Sequence, residues 1–243
     1  YGYGSMMGSI STDMLSSTPT YVGGLNACIN GQGFFATQAI STKEIDVDGD
    51  AADVTDALKE AEFAYTRVGQ FQLDSQGYLT DGTNFIYGFR PDGNKGFETG
   101  SLVALRVPSD LNNGFDDDAL QAASVKINEL GEVTATVTNP DNGESVQVSL
   151  GKIAIVTFQN QEGLMKSGGS YYSASIGDNT GFCSATIPGG STSKLMTGYL
   201  EASNVDLAKE FSEMITTQRG FQANTKMITV SDEILSDLIS MKR

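Results

Sequence analysis

Residues 203–243 read SNVDLAKEFSEMITTQRGFQANTKMITVSDEILSDLISMKR. From Asn204 onward there is no proline and one glycine, Gly220. Ser203, followed three residues later by Asp206, has capping-box spacing ahead of an apolar-periodic run. Counted in heptads from Leu207, one core position reads Leu207, Met214, Phe221, Ile228, Leu235 and is apolar throughout. The other reads Phe211, Gln218, Thr225, Asp232, Ile239 and is apolar only at its ends. The pattern predicts a long amphipathic C-terminal α-helix over 203–243 with a narrow apolar seam.

A helix of that length spans about 60 Å. The preceding residues, folded compactly, have a radius of gyration of about 16 Å. A globule of that size cannot cover the whole seam, and each seam residue left in water forgoes roughly 1.5–3 kcal/mol of burial. The helix therefore needs cover from another segment or another chain; folding back across its own β part is the blander alternative. Gln218, Thr225 and Asp232 argue against a simple two-stranded coiled coil, which wants both core positions apolar.

Upstream the texture is different. Residues 1–24 are rich in Gly, Ser and Thr and read as an extended connector. Residues 25–202 read as a β-rich outer domain. Strands are expected at 34–35, 63–68, 71–73, 78–80, 102–107, 124–128, 132–138, 145–149 and 152–158. They are punctuated by Asp74-Ser75-Gln76-Gly77, Asp81-Gly82 and Asn139-Pro140-Asp141-Asn142-Gly143. An acidic stretch, 44–62, contains a short helix at Ala51–Glu62 with Val54, Leu58 and Ala61 on one side. Residues 160–198 read as irregular with a few short strands. The fold class is thus a mainly β core of short antiparallel strands plus a long C-terminal helix.

Composition restricts the chemistry. Among 243 residues there are 15 Lys+Arg, 30 Asp+Glu, 2 Cys and no His. The absence of His removes Ser-His-Asp triads and His-ligated metals. A net charge of −15 argues against nucleic acid or an anionic membrane as main partner. The charge is uneven: residues 204–243 carry 5 basic and 6 acidic groups, so the acidity belongs to the β-rich part. No apolar run is long enough to span a membrane. The chain opens at Tyr1 rather than Met and shows no secretory signal, so a preceding segment is expected.

Minor motifs weigh little. Glu44, Asp46, Asp48 and Gly49 loosely match calcium-loop positions, but Thr55 stands where a bidentate Glu is expected, so a solvated loop is the preferred reading. Asp116-Asp117-Asp118 reads as wet surface. No spacing selects a carboxylate pair for hydrolysis. Gly31 and Gly33 lack the third glycine of a dinucleotide fingerprint, Ala36 standing there. Cys28 reads as a small buried hydrophobe, and Cys183 sits in a loop. Gly220 is either a tolerated imperfection or a point of close packing.

Four stretches together resemble the axial proteins of the bacterial flagellum, its hook and rod subunits. Asn26-Ala27-Cys28-Ile29-Asn30-Gly31-Gln32-Gly33-Phe34-Phe35 is similar to that family's strand opening. Tyr65-Thr66-Arg67-Val68-Gly69-Gln70-Phe71, with Asp74, Gly77 and Leu79, is similar to its hairpin. Gly198–Leu207 resembles the approach to its C-terminal helix. Met214-Ile215-Thr216-Thr217-Gln218-Arg219-Gly220-Phe221-Gln222-Ala223-Asn224 resembles the helix motif itself. The wording of Leu207–Phe211 and Gln218–Asn224 resembles the short hook proteins of Gram-positive bacteria more than distal rod proteins. Larger hook proteins carry an extra outer domain, for which only 85–125 leaves room here. Segment 38–62 departs from the family's compact first hairpin.

The resemblance implies a structural, non-enzymatic subunit without cofactor or metal. It implies self-assembly into a helical tube whose inner layer pairs residues 203–243 with an N-terminal helix. The flexible hook joint transmitting torque is the first expectation and the distal rod the second. A secreted acidic calcium-binding or carbohydrate-active module is the rival from another class. The implied subunit interface is Leu207, Phe211, Met214, Ile215, Gln218, Arg219, Phe221, Asn224, Ile228 and Leu235. Implied partners are further copies of the chain, other axial proteins (rod, hook cap, hook–filament junction) and the flagellar export apparatus, in an extracellular flagellum.

Overall fold

The computed structural model describes residues 18–39, 43–92, 96–108, 122–138, 143–189 and 193–241. The chain divides into two units, one ending at Ala202 and one beginning at Ser203. The first unit opens with β1 (Pro19–Tyr21), β2 (Ala27–Asn30), β3 (Phe34–Gln38) and β4 (Ile45–Asp46), followed by helix α1 (Ala51–Glu60). Next come β5 (Ala64–Thr66), β6 (Gln72–Leu73), β7 (Leu79–Thr80), β8 (Phe85–Phe89), β9 (Pro91–Asp92), β10 (Gly96–Phe97) and β11 (Ser101–Ala104). A long meander, β12 (Ala122–Ile127), β13 (Glu132–Thr138) and β14 (Ser145–Ile153), leads into β15 (Ile155–Phe158). Then come β16 (Met165–Gly168), β17 (Tyr171–Ser173), β18 (Cys183–Thr186), β19 (Lys194–Thr197) and β20 (Tyr199–Glu201). The second unit holds α2 (Leu207–Met241).

The main sheet runs β12-β13-β14-β8-β3-β5-β17-β16, with β11 and β4, β15 and β18, and β7 and β6 branching from it. Every described pairing is antiparallel, in accord with the mainly β expectation. The centre is built from unbroken apolar runs, because β3, β8 and β15 are covered on both faces. With successive side chains on opposite faces, Phe34 and Ala36 enter one apolar cluster and Phe35 the other. Ile86 and Tyr87 divide the same way, as do Ile155 and Val156. The outer strand β13 alternates instead, with Val133, Ala135 and Val137 fully buried between half-exposed neighbours.

Helix α1 forms within the acidic stretch and lays Leu58, fully buried, on the first cluster, with Val54, Ala57 and Ala61 beside it. Its Thr55 hydroxyl accepts from the Cys183 amide at 2.9 Å and donates to the Ala51 carbonyl at 2.6 Å. One open edge position of β18 is thereby satisfied by a side chain rather than by another strand.

One expectation changes and one holds. The window 85–125, read as room for an outer insertion, supplies β8 and β11, and Tyr87, Phe89, Leu102 and Leu105 are fully buried. These described strands belong to the core; residues 93–95 and 109–121 of the window lie outside the described residues. Residues 160–198, read as irregular with a few short strands, do carry short strands, β16, β17, β18 and β19, with Gly169-Ser170 as the bend between β16 and β17. The connector expected over 1–24 falls mostly outside the described residues, as do Asp116-Asp117-Asp118; Pro19–Tyr21 is the paired strand β1.

Three two-stranded sheets stand apart from the main one among the described residues, one of them the β9–β10 pair. In the other two, β2 pairs with β19, and β1 pairs with β20 in the register Pro19↔Glu201, Thr20↔Leu200, Tyr21↔Tyr199. The step from one small sheet to the other is made by Gly198, whose φ of +79° suits only glycine without strain. An added Cβ there would meet the Tyr21 ring at 2.9 Å.

Candidate functional site: the C-terminal helix

The start of α2 is set by Asp206, not Ser203. The Asp206 carboxylate accepts from the amides of Ala208 at 2.9 Å and Lys209 at 3.3 Å, and its carbonyl accepts from Glu210 at 3.0 Å. Those bonds satisfy amides that the first helical turn leaves open. Ser203 instead closes a small turn, its hydroxyl accepting from the Val205 amide at 3.3 Å. The capping-box spacing therefore marked the right place and the wrong residue. Along the helix, Thr216, Thr217 and Thr225 donate their hydroxyls to the carbonyls of Ser212, Glu213 and Phe221. Their polar atoms are satisfied within the helix itself.

All ten expected interface residues lie on this element, and all are exposed. Leu207, Phe211, Met214, Ile215, Phe221, Ile228 and Leu235 show 51–74% of their surface. At about 100° per residue, Leu207, Phe211, Met214, Gln218 and Phe221 fall within an arc of about 80°. Ile215 and Arg219 flank it on one side and Asn224 on the other. Arg219 and Asn224 are about 140° apart, so one flat neighbour cannot touch both.

The seam is only half of the apolar surface. Met227, Val230, Ile234, Leu238 and Met241, 42–84% exposed, follow helical spacing and share an arc of their own. That arc lies about 125° round the helix from Phe221, Ile228, Leu235 and Ile239. Counting heptads from Leu207 missed it, although the 3-4-4-3 spacing was there to be read. It bears on Asp232: over the last four turns a second apolar face lies on another side, and the second heptad position is apolar again only at Ile239. Gly220 has open space around the Cβ position, so the single helix gives no steric reason for it.

The rival sites look different once side chains are placed. Thr55, the would-be twelfth calcium-loop position, is committed to Ala51 and Cys183. Asp46 sits in β4 paired with Ser101, and its carboxylate accepts from the Asp48 amide. Among the described residues no group of three or more acids or cysteines is placed to hold a metal. Cys28 and Cys183 are both buried free thiols, not a disulfide. Burial pushes both thiols up from their ordinary value.

Residues 196–241 match the family described as flagellar basal body rod FlgEFG protein C-terminal. Over its whole length the chain is 35% identical to the flagellar basal-body rod protein FlgG of Bacillus subtilis, spanning 75% of that protein. This chain belongs to the flagellar rod and hook protein family. It is also 30% identical to FlgG of Buchnera aphidicola subsp. Acyrthosiphon pisum, over 88% of this chain and 63% of that protein. The flagellar hook protein FlgE of Treponema pallidum is 40% identical, over 49% of this chain and 24% of that protein. The protein is thus a flagellar axial structural subunit, a component of the flagellum. The family match begins in β19, takes in β20 and ends at the last residue of α2. No described helix is long and apolar enough to cross a membrane.

Proposed function

We propose that the chain is a rod-type axial subunit that polymerises helically through α2. The observation that carries the rod reading is coverage: a rod protein aligns with the entire chain, the hook protein of Treponema pallidum with about half of it. The polymer reading is supported by the two exposed apolar faces of α2. Covering them by heterologous contacts that do not close on themselves yields a filament rather than a ring. The β unit then forms the outer wall, and no catalytic step is needed. Export through the flagellar channel and contact with neighbouring axial proteins belong to the same proposal.

A hook subunit is the second reading, favoured by the wording of Leu207–Phe211 and Gln218–Asn224 and by the higher local identity to a hook protein. Electron microscopy of polymers assembled from the full-length protein separates the two. Straight tubes are expected; supercoiled, curved tubes overturn the rod reading in favour of the hook. A protein that stays monomeric at high concentration overturns both.

A further inference from the structure

We propose that the β1–β20 ribbon is a hinged element held shut by a latch between Arg67 and Glu201. It deepens the axial-subunit reading and rests on it for its use: Glu201 is the last strand residue before the chain passes to residues 203–243.

Both strands of the ribbon break at one level. Gly198 stands between β19 and β20 with φ +79°, and Gly23 follows β1 with φ +80°. The two breaks are tied to each other, because the Gly198 carbonyl accepts from the amides of Val22 at 2.8 Å and Gly23 at 2.9 Å. The Gly198 amide donates to the Asn26 carbonyl at 2.7 Å, anchoring that level to the rest of the unit. Beyond it the ribbon is a two-stranded piece of three residues a side, with Tyr21 69% exposed and stacked edge-on against Tyr199. So short a two-stranded piece is marginal without further support.

The support reaches the far end of the ribbon from the core. Arg67, directly after β5, donates its Nε to Glu201 Oε2 at 2.7 Å. Its other nitrogens are held by the carbonyls of Gly31 at 3.1 Å, Gly33 at 3.0 Å and Ile29 at 3.4 Å. The guanidinium is therefore fixed in place by the β2–β3 turn, and both side chains are nearly buried, at 12% and 14% exposure. A rigidly held Arg meeting a carboxylate out of bulk water is the kind of ion pair that retains strength. β20 also lies against β2; the ion pair is the charged tie at the ribbon's far end, and breaking it loosens the ribbon to turn at Gly198 and Gly23 while the main sheet stays intact.

Cys28 supplies a reporter. It is 1% exposed on β2, and after burial the Glu201 charge is the next influence on its thiol, so the two lie close. Cys183, buried between α1 and β18, serves as the internal control. The test compares the full chain with Glu201→Ala and Glu201→Gln by amide hydrogen exchange and by the rate of thiol labelling. In Glu201→Ala, amides of Thr20–Tyr21 and Tyr199–Glu201 are expected to exchange at least tenfold faster, and Cys28 to label faster, with Val156 and Cys183 unchanged. Glu201→Gln, which keeps an acceptor without the charge, should fall between. Unchanged ribbon exchange overturns the latch, and so does an equal acceleration at Val156 and Cys183, which would mean general loosening. The measurement needs no polymer, so its failure leaves the rod reading standing, and failure to polymerise leaves the latch standing.

Discussion

Lys59 of α1 places its Nζ 2.8 Å from Asp178 Oδ1, and neither side chain exceeds 8% exposure. The pair joins the acidic stretch 44–62 to the loop before β18. Asp178 has three further donors: the Ser175 amide at 2.8 Å, the Thr180 amide at 3.1 Å and the Thr180 hydroxyl at 2.5 Å. Lys59 has fewer alternatives. Asp178→Ala should therefore cost more than Lys59→Met, about 3–5 kcal/mol, because it strands a buried ammonium. The double variant Lys59→Met/Asp178→Asn should recover part of the loss. Urea unfolding of the three variants measures this, and equal costs for the two single changes would contradict it.

The same carboxylate sets an acid limit. Burial alone would raise its pKa, but hydrogen bonds from Lys59, Thr180 and Ser175 outweigh burial and bring it down to about 2. A folded pKa below the unfolded value near 3.8 means the stabilisation is complete above about pH 4. It is lost as the pH falls through about 2, and amounts to about 2 kcal/mol. Stability measured from pH 5 down to pH 2 should fall less steeply in Asp178→Asn than in the native sequence.

Thr55→Val tests how the β18 edge is closed. The hydroxyl is a bonded acceptor for the buried Cys183 amide, and an isosteric methyl leaves that amide unpaired. A loss of about 1–3 kcal/mol is expected. Faster labelling of Cys183 than of Cys28 in this variant would place the damage at the edge; parallel acceleration of both would not.

The two faces of α2 make separate predictions. Phe221→Asp on one face and Ile234→Asp on the other should each abolish polymerisation, with the melting of the β unit unchanged. Thr229→Asp, on the polar side between them, should polymerise normally. Wild-type assembly by Ile234→Asp would confine the interface to the heptad seam.

Gly220→Ala fills open space on an exposed helix, so it should stabilise α2 by about 1 kcal/mol, read as a rise in helicity. If helicity rises and assembly fails, a neighbouring backbone comes close at Gly220. If both improve, the glycine is a tolerated imperfection.

Local patterns carried much of this into the sequence reading. The alternation in 132–138 and the turns at Asp74–Gly77 and Asp81-Gly82 gave strands where strands are found. Val54, Leu58 and Ala61 gave α1 its buried side. What escaped was whatever depends on partners distant in sequence. Phe85–Phe89 is an apolar run like any other until β3, β7, β11 and β14 are seen to pair with it. Arg67 was visible as part of a motif, but its partner Glu201 is 134 positions away. The apolar residues proposed for the interface were legible as one stripe of a helix, and they are exposed. The second face was not, because counting one seam in heptads fixes attention on one side.

The pairing of β1 with β20 has a further consequence for how such a chain can vary. Everything from Val22 to Gly198 leaves and returns through two adjacent strands, so the body is a bulge on a stem. Residues can be added to or removed from that body without altering the spacing of the stem. In the proposed polymer, selection can then change the girth of the outer layer while leaving the α2 contacts untouched. A lineage gains room to diversify its surface without renegotiating its assembly geometry.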